Sequence, residues 1–516
     1  MKPAALAILL ALVGATSGFG QQFRLGRLDI MGNLKTKQSV ILRMIPLEEG
    51  DIFDTTLWEL GLELLNRSGL FEPISPGDVE MKFDPSRGVV DVVLHLRERD
   101  YQRVDFDAGG GTTGGASVGL QYSHINLTGR ADRLSAQLRI GTRERLLAGG
   151  YSITTLTRIP ITFDMAGSYQ RFEFVDARTA GNDRRPLFVQ RSAVLSFGAS
   201  VPVAEPRNTL FARTRAGLNY SFTSNNVIDL LGQSVTVMDE VLRSDFRIAS
   251  LTPFVTRDTL DRAFDPTSGS RLVIATELSA RAFGGSINTI NPSFDYRRFF
   301  RLSNGAREPR VFGLRARLSH VAGFGEPFRA GAPVVIGGVP VFRRFFVGGE
   351  NEVRGYDVNS IAPLARIDRF VVTDGDKLES VSTEVRPVGG DTRFAFNAEY
   401  RLPLIWRLSA AAFFDFGASL NLRRLGEERF ESVVRAEPQG TAVRLLTVLR
   451  PLDGESRLPD YRVSLGGELR MMIPVLNIPL RLIFAANPNA QRQPSESFVI
   501  APEKRFAFRF GFSRTL

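Results

Sequence analysis

The chain contains no cysteine, three histidines and two tryptophans in 516 residues. Without thiols it has no disulfide framework, no thiolate metal site and no cysteine nucleophile. His95, His124 and His320 stand far apart and show no metal-ligand spacing. No catalytic set and no cofactor or metal site is indicated, so the chain does not read as an enzyme. Long apolar runs are also missing: none reaches the ~18 residues that suggest a spanning helix. The longest begins after Lys2 and runs over 3–15, before the small residues Thr16, Ser17 and Gly18. A charged start, a short apolar core and a small-residue exit predict a secretory signal peptide over 1–20. The net charge is +10. The arginines are scattered singly, which reads as polar lining and attraction to anionic lipid, with no nucleic acid as partner.

Short-range alternation is what the sequence does have. Residues 21–99 read as β-α-α-β-β. A strand over 23–31 ends at Gly32-Asn33. A first helix with Thr36 as N-cap carries Val40, Ile41, Met44 and Ile45. A second, capped by Asp54 and closed by Gly69, carries Leu57, Leu60, Leu64 and Leu65. A hairpin follows, 79–83 with 89–96. Together with Gly50-Asp51, Ser68-Gly69-Leu-Phe71 and the closing Glu98, this module resembles a polypeptide-transport-associated (POTRA) domain. The resemblance implies a periplasmic module that binds unfolded chains by pairing a strand with a sheet edge.

From 100 to 516 the chain reads as about sixteen antiparallel strands of period two, the fourth over 149–158 and the seventh over 207–221 among them. The clearest is the last, with Phe506, Phe508, Phe510 and Phe512 on one face and Arg505, Ala507, Arg509 and Gly511 on the other. Connections after even strands are short and most of those after odd strands are long, the build of a transmembrane barrel. The expected fold is thus an all-β transmembrane barrel preceded by a small α+β domain. Pairing must close in lipid, so the first strand should meet the last. The first runs into Gly109, Gly110 and Gly111, which read either as a weak lateral seam with Phe508, Phe510 and Phe512 or as a tight glycine turn.

The longest loop, 324–390, has weak strand patterning and contains Val353, Arg354, Gly355 and Tyr356. Gly355 suits a tight turn, and Arg354 offers a rigid fork of donors for carboxylates. With Asn397-Ala-Glu399-Tyr400-Arg401, Phe413-Phe414-Asp415-Phe416-Gly417 and Gly466-Gly-Glu468, the chain resembles the outer-membrane protein assembly family: BamA/TamA-like insertases and two-partner secretion transporters. The resemblance implies that the loop folds back into the lumen and that Arg354 is held by Glu399 and Asp415. Period two puts both acids on the inward face. It further implies an outer-membrane location, unfolded outer-membrane proteins as clients, and periplasmic chaperones and accessory lipoproteins as partners. A dedicated secretion pore for one exported client is the alternative. The single POTRA-like module, and Ile483 where an acid is expected, depart from the family pattern.

Overall fold

The computed structural model describes residues 23–111, 115–154, 160–175, 186–203, 212–228, 246–262, 265–303, 309–325, 335–340, 343–373, 377–405, 408–423, 425–436, 441–452, 460–473, 478–491 and 502–512. The signal peptide expected over 1–20 lies outside them.

The N-terminal domain has a three-stranded sheet of β1 (Arg24–Met31), β2 (Val79–Asp84) and β3 (Val89–His95), with β3 central. One face of β3, Val90, Val92 and Leu94, is fully buried against Ile41, Leu64 and Leu65 of two helices. The helix Thr55–Ser68 begins where the Asp54 carboxylate accepts the Thr56 N–H at 2.7 Å. It ends at Gly69, whose φ of 72° favours glycine. The shorter helix, Gln38–Leu42, corrects the expectation for Thr36: it starts after Lys37 with no side-chain cap. The Thr36 hydroxyl is engaged elsewhere, accepting from Asn126 Nδ2 at 2.8 Å.

The rest of the chain is a closed antiparallel barrel with sixteen long strands among the described residues. The first eight are β4 (Gln102–Gly111), β5 (Gly115–Ile125), β6 (Arg133–Gly141), β7 (Glu144–Ile153), β8 (Thr162–Val175), β9 (Pro186–Pro202), β10 (Thr214–Ile228) and β11 (Phe246–Asp258). Then come β12 (Gly269–Ser279), β13 (Thr289–Arg301) and β14 (Val311–His320), which the two-residue β15 (Ala322–Gly323) extends. The long loop holds β16 (Val335–Ile336), β17 (Val339–Pro340), β18 (Leu364–Thr373) and β19 (Lys377–Pro387). The barrel resumes with β20 (Thr392–Pro403) and β21 (Leu408–Leu420). After the loop strands β22 (Glu428–Ala436) and β23 (Thr441–Pro451) it closes with β24 (Asp460–Ile473), β25 (Ile478–Ala486) and β26 (Phe506–Phe512).

Two expected strands were misplaced. That expected over 149–158 is Glu144–Ile153, because Gly141 leads into a tight turn at Thr142-Arg143. That expected over 207–221 is Thr214–Ile228. The loop regions also hold more strand than their patterning suggested: β19, β18, β23 and β22 form a separate four-stranded sheet. It lies at the distal end, away from the N-terminal domain.

Outward positions such as Val104, Phe106, Val118, Leu120, Leu138 and Ile140 are apolar and 40–66% exposed. Inward positions between them are polar, as Ser135 and Gln137 are. An apolar exterior around a polar interior is the pattern of a barrel in lipid. Closure is uneven. β25 and β26 run in register from Leu480–Phe512 to Ala486–Phe506. Between β26 and β4, only Gly511–Gly111 and Phe512–Gly110 are in register among the described residues.

The N-terminal domain docks on the first proximal turn of the barrel. Lys37 N–H donates to the Gly129 carbonyl at 2.9 Å. Gly129 has φ 76°, and a Cβ there would lie 2.4 Å from the Lys35 carbonyl oxygen. The Glu98 carboxylate accepts the Thr36 N–H at 2.7 Å and the Lys35 N–H at 3.1 Å. Burial pushes the Glu98 carboxyl up, but hydrogen bonds from Thr36 and Tyr101 outweigh it and hold the group below its usual range. Burial and the Glu98 carboxylate push the Tyr101 phenol up to about 12.

A depressed carboxyl pKa stabilises docking above the ordinary value of about 4.3, and that contribution is lost as pH falls through the folded value. Spin labels on Ser86→Cys and Leu404→Cys, in a chain with no cysteine of its own, measure the docking directly. The distance distribution should be narrow at pH 7 and broaden below about pH 4. Glu98→Gln and Gly129→Val should each broaden it at pH 7.

Candidate functional site

The long distal loop turns back into the barrel and builds a small core of its own. Val347 and Ile361 exchange backbone hydrogen bonds at 3.0 and 2.9 Å. Val347, Val353, Tyr356 and Ile361 are buried together. The approach to the wall needs glycine twice. A Cβ on Gly417 would lie 2.3 Å from Val353 Cγ2 and 2.8 Å from Val347 Cγ1. Gly355 has φ 95°, and its Cβ would meet Asn487 Oδ1 at 2.6 Å and Ala485 Cβ at 2.7 Å.

The turn delivers Arg354 into the wall with no part of it exposed. Its Nε and Nη2 donate side-on to the two Asp415 oxygens at 2.7 and 2.8 Å. Its Nη1 donates to Glu399 Oε2 at 2.7 Å and to Glu468 Oε2 at 3.1 Å. The guanidinium also lies 3.8 Å from the Phe413 ring centroid. Asp415 accepts in addition from the Arg354 backbone N–H at 3.0 Å and from Asn397 Nδ2 at 2.8 Å. A charge taken out of water is tolerated when paired and hydrogen-bonded at this density.

Three more arginines complete the cluster. Arg481 Nε and Arg470 Nε both donate to Glu468 Oε1, at 2.7 and 2.5 Å. Arg401 Nε donates to Glu399 Oε1 at 2.7 Å. Arg481 reaches the loop itself, donating to the Glu350 carbonyl and Asn351 Oδ1 at 3.1 Å each. The loop is also tied to the last strand: Arg509 Nη2 donates to the Gly355 carbonyl at 3.1 Å and lies 2.7 Å from Asp357 Oδ1. Tyr356 hydroxyl donates to the Val463 carbonyl and to Asn489 Oδ1 at 3.2 Å each.

The sequence singled out Glu399 and Asp415 as partners of Arg354, and the structure brings all three together. It did not single out Glu468 as a partner, nor Arg481 or Arg509. The inward direction of Glu468 was readable from Tyr461, Val463 and Leu465 on the opposite face. Its meeting with Arg354 depends on the register that sets Ala411 beside Glu468. Ile483, where an acid was expected, packs with Phe413 and Ala485. Of the seam residues, Gly110 and Gly111 lie beside Phe512 and Gly511. Gly109 pairs with Ser117 of β5. Phe508 and Phe510 lie beyond the described register and are 58% and 43% exposed. Gly115-Ala-Ser117-Val-Gly119 matches a nucleophile-elbow spacing, but it lies within β5 and not at a strand-to-helix turn.

Removing one member of a buried ion cluster leaves the others uncompensated, at about 3–5 kcal/mol. Arg354→Ala should therefore destabilise the barrel by that order in denaturant titration. A double-mutant cycle with Asp415→Ala should be strongly non-additive; additive losses would mean that the two side chains do not act together. Gly417→Val should also destabilise, by about 1–3 kcal/mol, and should expose the loop to protease.

Comparison with known proteins agrees with this geometry. The Omp85 superfamily domain matches residues 126–514, and the surface antigen variable number repeat, a POTRA domain, matches residues 23–99. The outer membrane protein assembly factor BamA of Nitratidesulfovibrio vulgaris is 23% identical over 406 residues, covering 77% of this chain and 44% of that protein. That of Neisseria meningitidis is 23% identical over 381 residues, covering 71% and 44%. The chain spans about half the length of the curated relatives it matches. Those relatives are named as assembly factors and not as enzymes. Among solved structures, BamA from Haemophilus ducreyi lacking POTRA domains 1–3 superposes with a TM-score of 0.61 at 17% identity, covering 96% of this chain and 85% of that one. CdiB from Acinetobacter baumannii gives 0.54 at 14% identity, covering 95% and 74%. The chain belongs to the Omp85 superfamily, as a bacterial outer-membrane β-barrel whose N-terminal POTRA domain lies on the periplasmic side.

Proposed function

We propose that the protein folds and inserts other β-barrel proteins into the outer membrane, through a lateral seam between β26 and β4. The observation that carries this reading is the contrast across that junction. On one side the loop cluster ties β26 to β20, β21, β24 and β25. On the other, β4 meets β26 at two glycine-rich positions among the described residues. Unpaired backbone groups are costly in hydrocarbon. A client strand arriving at a parted seam would satisfy them, the same pairing by which extended segments add to sheet edges.

The relatives named as outer membrane protein assembly factors support the client class. Unfolded outer-membrane proteins would arrive with periplasmic chaperones, with or without accessory lipoproteins. The POTRA sheet offers them an edge at β2, which has β3 as its neighbour on one side and no strand on the other among the described residues. No bond is made or broken, so the activity needs no catalytic residue and no cofactor.

The test is reconstitution in liposomes, with the folding of a urea-unfolded barrel protein followed by protease resistance. The protein should accelerate folding over empty liposomes, and Arg354→Ala should lose the acceleration. A disulfide between Gly110→Cys and Phe512→Cys should block it when oxidised and restore it on reduction. Full activity in the oxidised form would rule out the seam as the route. No acceleration by a verified folded barrel would favour a dedicated secretion pore.

A further inference from the structure

We propose that the lumen wall of β12 and β13 binds a phosphate group, held between the guanidiniums of Arg271 and Arg297 near the periplasmic mouth of the barrel.

Register builds the site. Arg271 of β12 stands directly opposite Arg297 of β13, and Arg297 directly opposite Arg315 of β14. Opposite residues on one face have their Cβ atoms about 5 Å apart, and like charges so placed repel. All three arginines point into the lumen, because Leu272, Tyr296 and Ala316, one position along, form the matching row on the lipid face. Arg271 lies at the start of β12, which begins at the periplasmic end: β4 leaves the POTRA domain there, and each wall strand reverses the one before.

The carboxylates of the wall do not balance this row. Asp295 serves two arginines: it accepts from Arg315 Nη2 at 2.6 Å, and its other oxygen stands 3.5 Å from Arg297 Nε. That Arg297 nitrogen is buried and has no hydrogen-bond partner among the described residues. Asp258 lies 3.8 Å from Arg271 Nε, beyond hydrogen-bond length. Farther along the wall Glu277 and Glu352 are already held, by Arg343 at 2.6 Å and by Arg317 at 3.2 Å. Two forks of N–H donors facing each other across one strand pair call for an acceptor with several oxygens and more than one negative charge. A phosphate group has both, and guanidinium forks bind its oxygens in pairs. Seated there, it replaces the repulsion between Arg271 and Arg297 with two attractions. The two side chains are 47% and 31% exposed, so the lumen gives the ligand a way in. This site stands whether or not the seam admits clients.

The test follows urea unfolding of the full chain in detergent micelles, at neutral pH and fixed ionic strength, as sodium phosphate replaces sodium chloride. Phosphate should raise the midpoint and the rise should saturate, as binding to the native state requires. Phosphate also stabilises proteins by exclusion from their surfaces, an effect that needs no arginine and does not saturate. Arg271→Gln and Arg297→Gln should each lose the saturating rise, while Arg139→Gln, on the inner face of β6, should keep it. In chloride alone Arg297→Gln should be at least as stable as the parent, because it relieves the repulsion; in phosphate the order should reverse. The phosphorus NMR resonance of phosphate should broaden with the parent protein and stay sharp with either glutamine variant. Should one variant not fold, the other, on a different strand, carries the same comparison. Glycerol phosphate in place of inorganic phosphate separates the sources: an equal rise means that the site takes a phosphate ester such as a lipid headgroup, and no rise means that it takes the free ion. A rise with inorganic phosphate that does not saturate, or one that both variants retain, would overturn the site.

Discussion

The Arg354 guanidinium has no contact with water, and its burial constrains much of the barrel around it. A lone charge there would be prohibitively costly, and it is tolerated because carboxylates from three different strands converge on it. β20 supplies Glu399, β21 supplies Asp415 and β24 supplies Glu468. Each can reach only if its strand keeps its register with the next. The same demand passes outward through Arg401, Arg470 and Arg481, which contact the same two glutamates, Glu399 and Glu468. Gly417 and Gly355 then have a common purpose, since a Cβ at either place would hold the loop away from the wall.

The barrel is consequently unequal around its circumference. From β20 to β26 the lumen wall is packed with loop, arginines and acids. Between β5 and β9 the inward residues Ser135, Gln137, Ala148, Gly150, Ser168 and Ser196 are uncharged, and they border a hollow of about 320 Å³. The POTRA domain docks beneath this emptier side, at Gly129 after β5 and through Glu63 to Arg213 before β10. β26 belongs to the packed half and β4 to the open half. In a barrel that opens sideways, the stiff half supplies a fixed edge and the other half supplies the give.

Much of this was legible in the sequence because alternation is a local property. The Phe506-to-Phe512 strand, the inward direction of Glu399 and Asp415, and the caps at Asp54 and Gly69 all follow from a few neighbouring residues. Elsewhere the local signal misled. Thr36 has the chemistry of an N-cap, but its hydroxyl serves a contact with Asn126, ninety residues away. β18, β19, β22 and β23 lie within long connections between wall strands, and they read as loop. The start of β7 was read late because the two-residue turn before it carries no glycine or proline.

By itself the sequence determined which side chains face lipid and which face the lumen, since period two needs no partner. It also determined that the chain divides into a small α+β domain and a barrel. Tertiary structure decided which inward residues meet. Register between strands is set by closure of the whole ring and by the loop folded inside it, and neither is local. A shift of two residues would keep every side chain on its proper face and still part Glu468 from Arg354. That is why the faces could be read from the chain, while the partners of Arg354 and the short junction of β26 with β4 emerged only from the closed barrel.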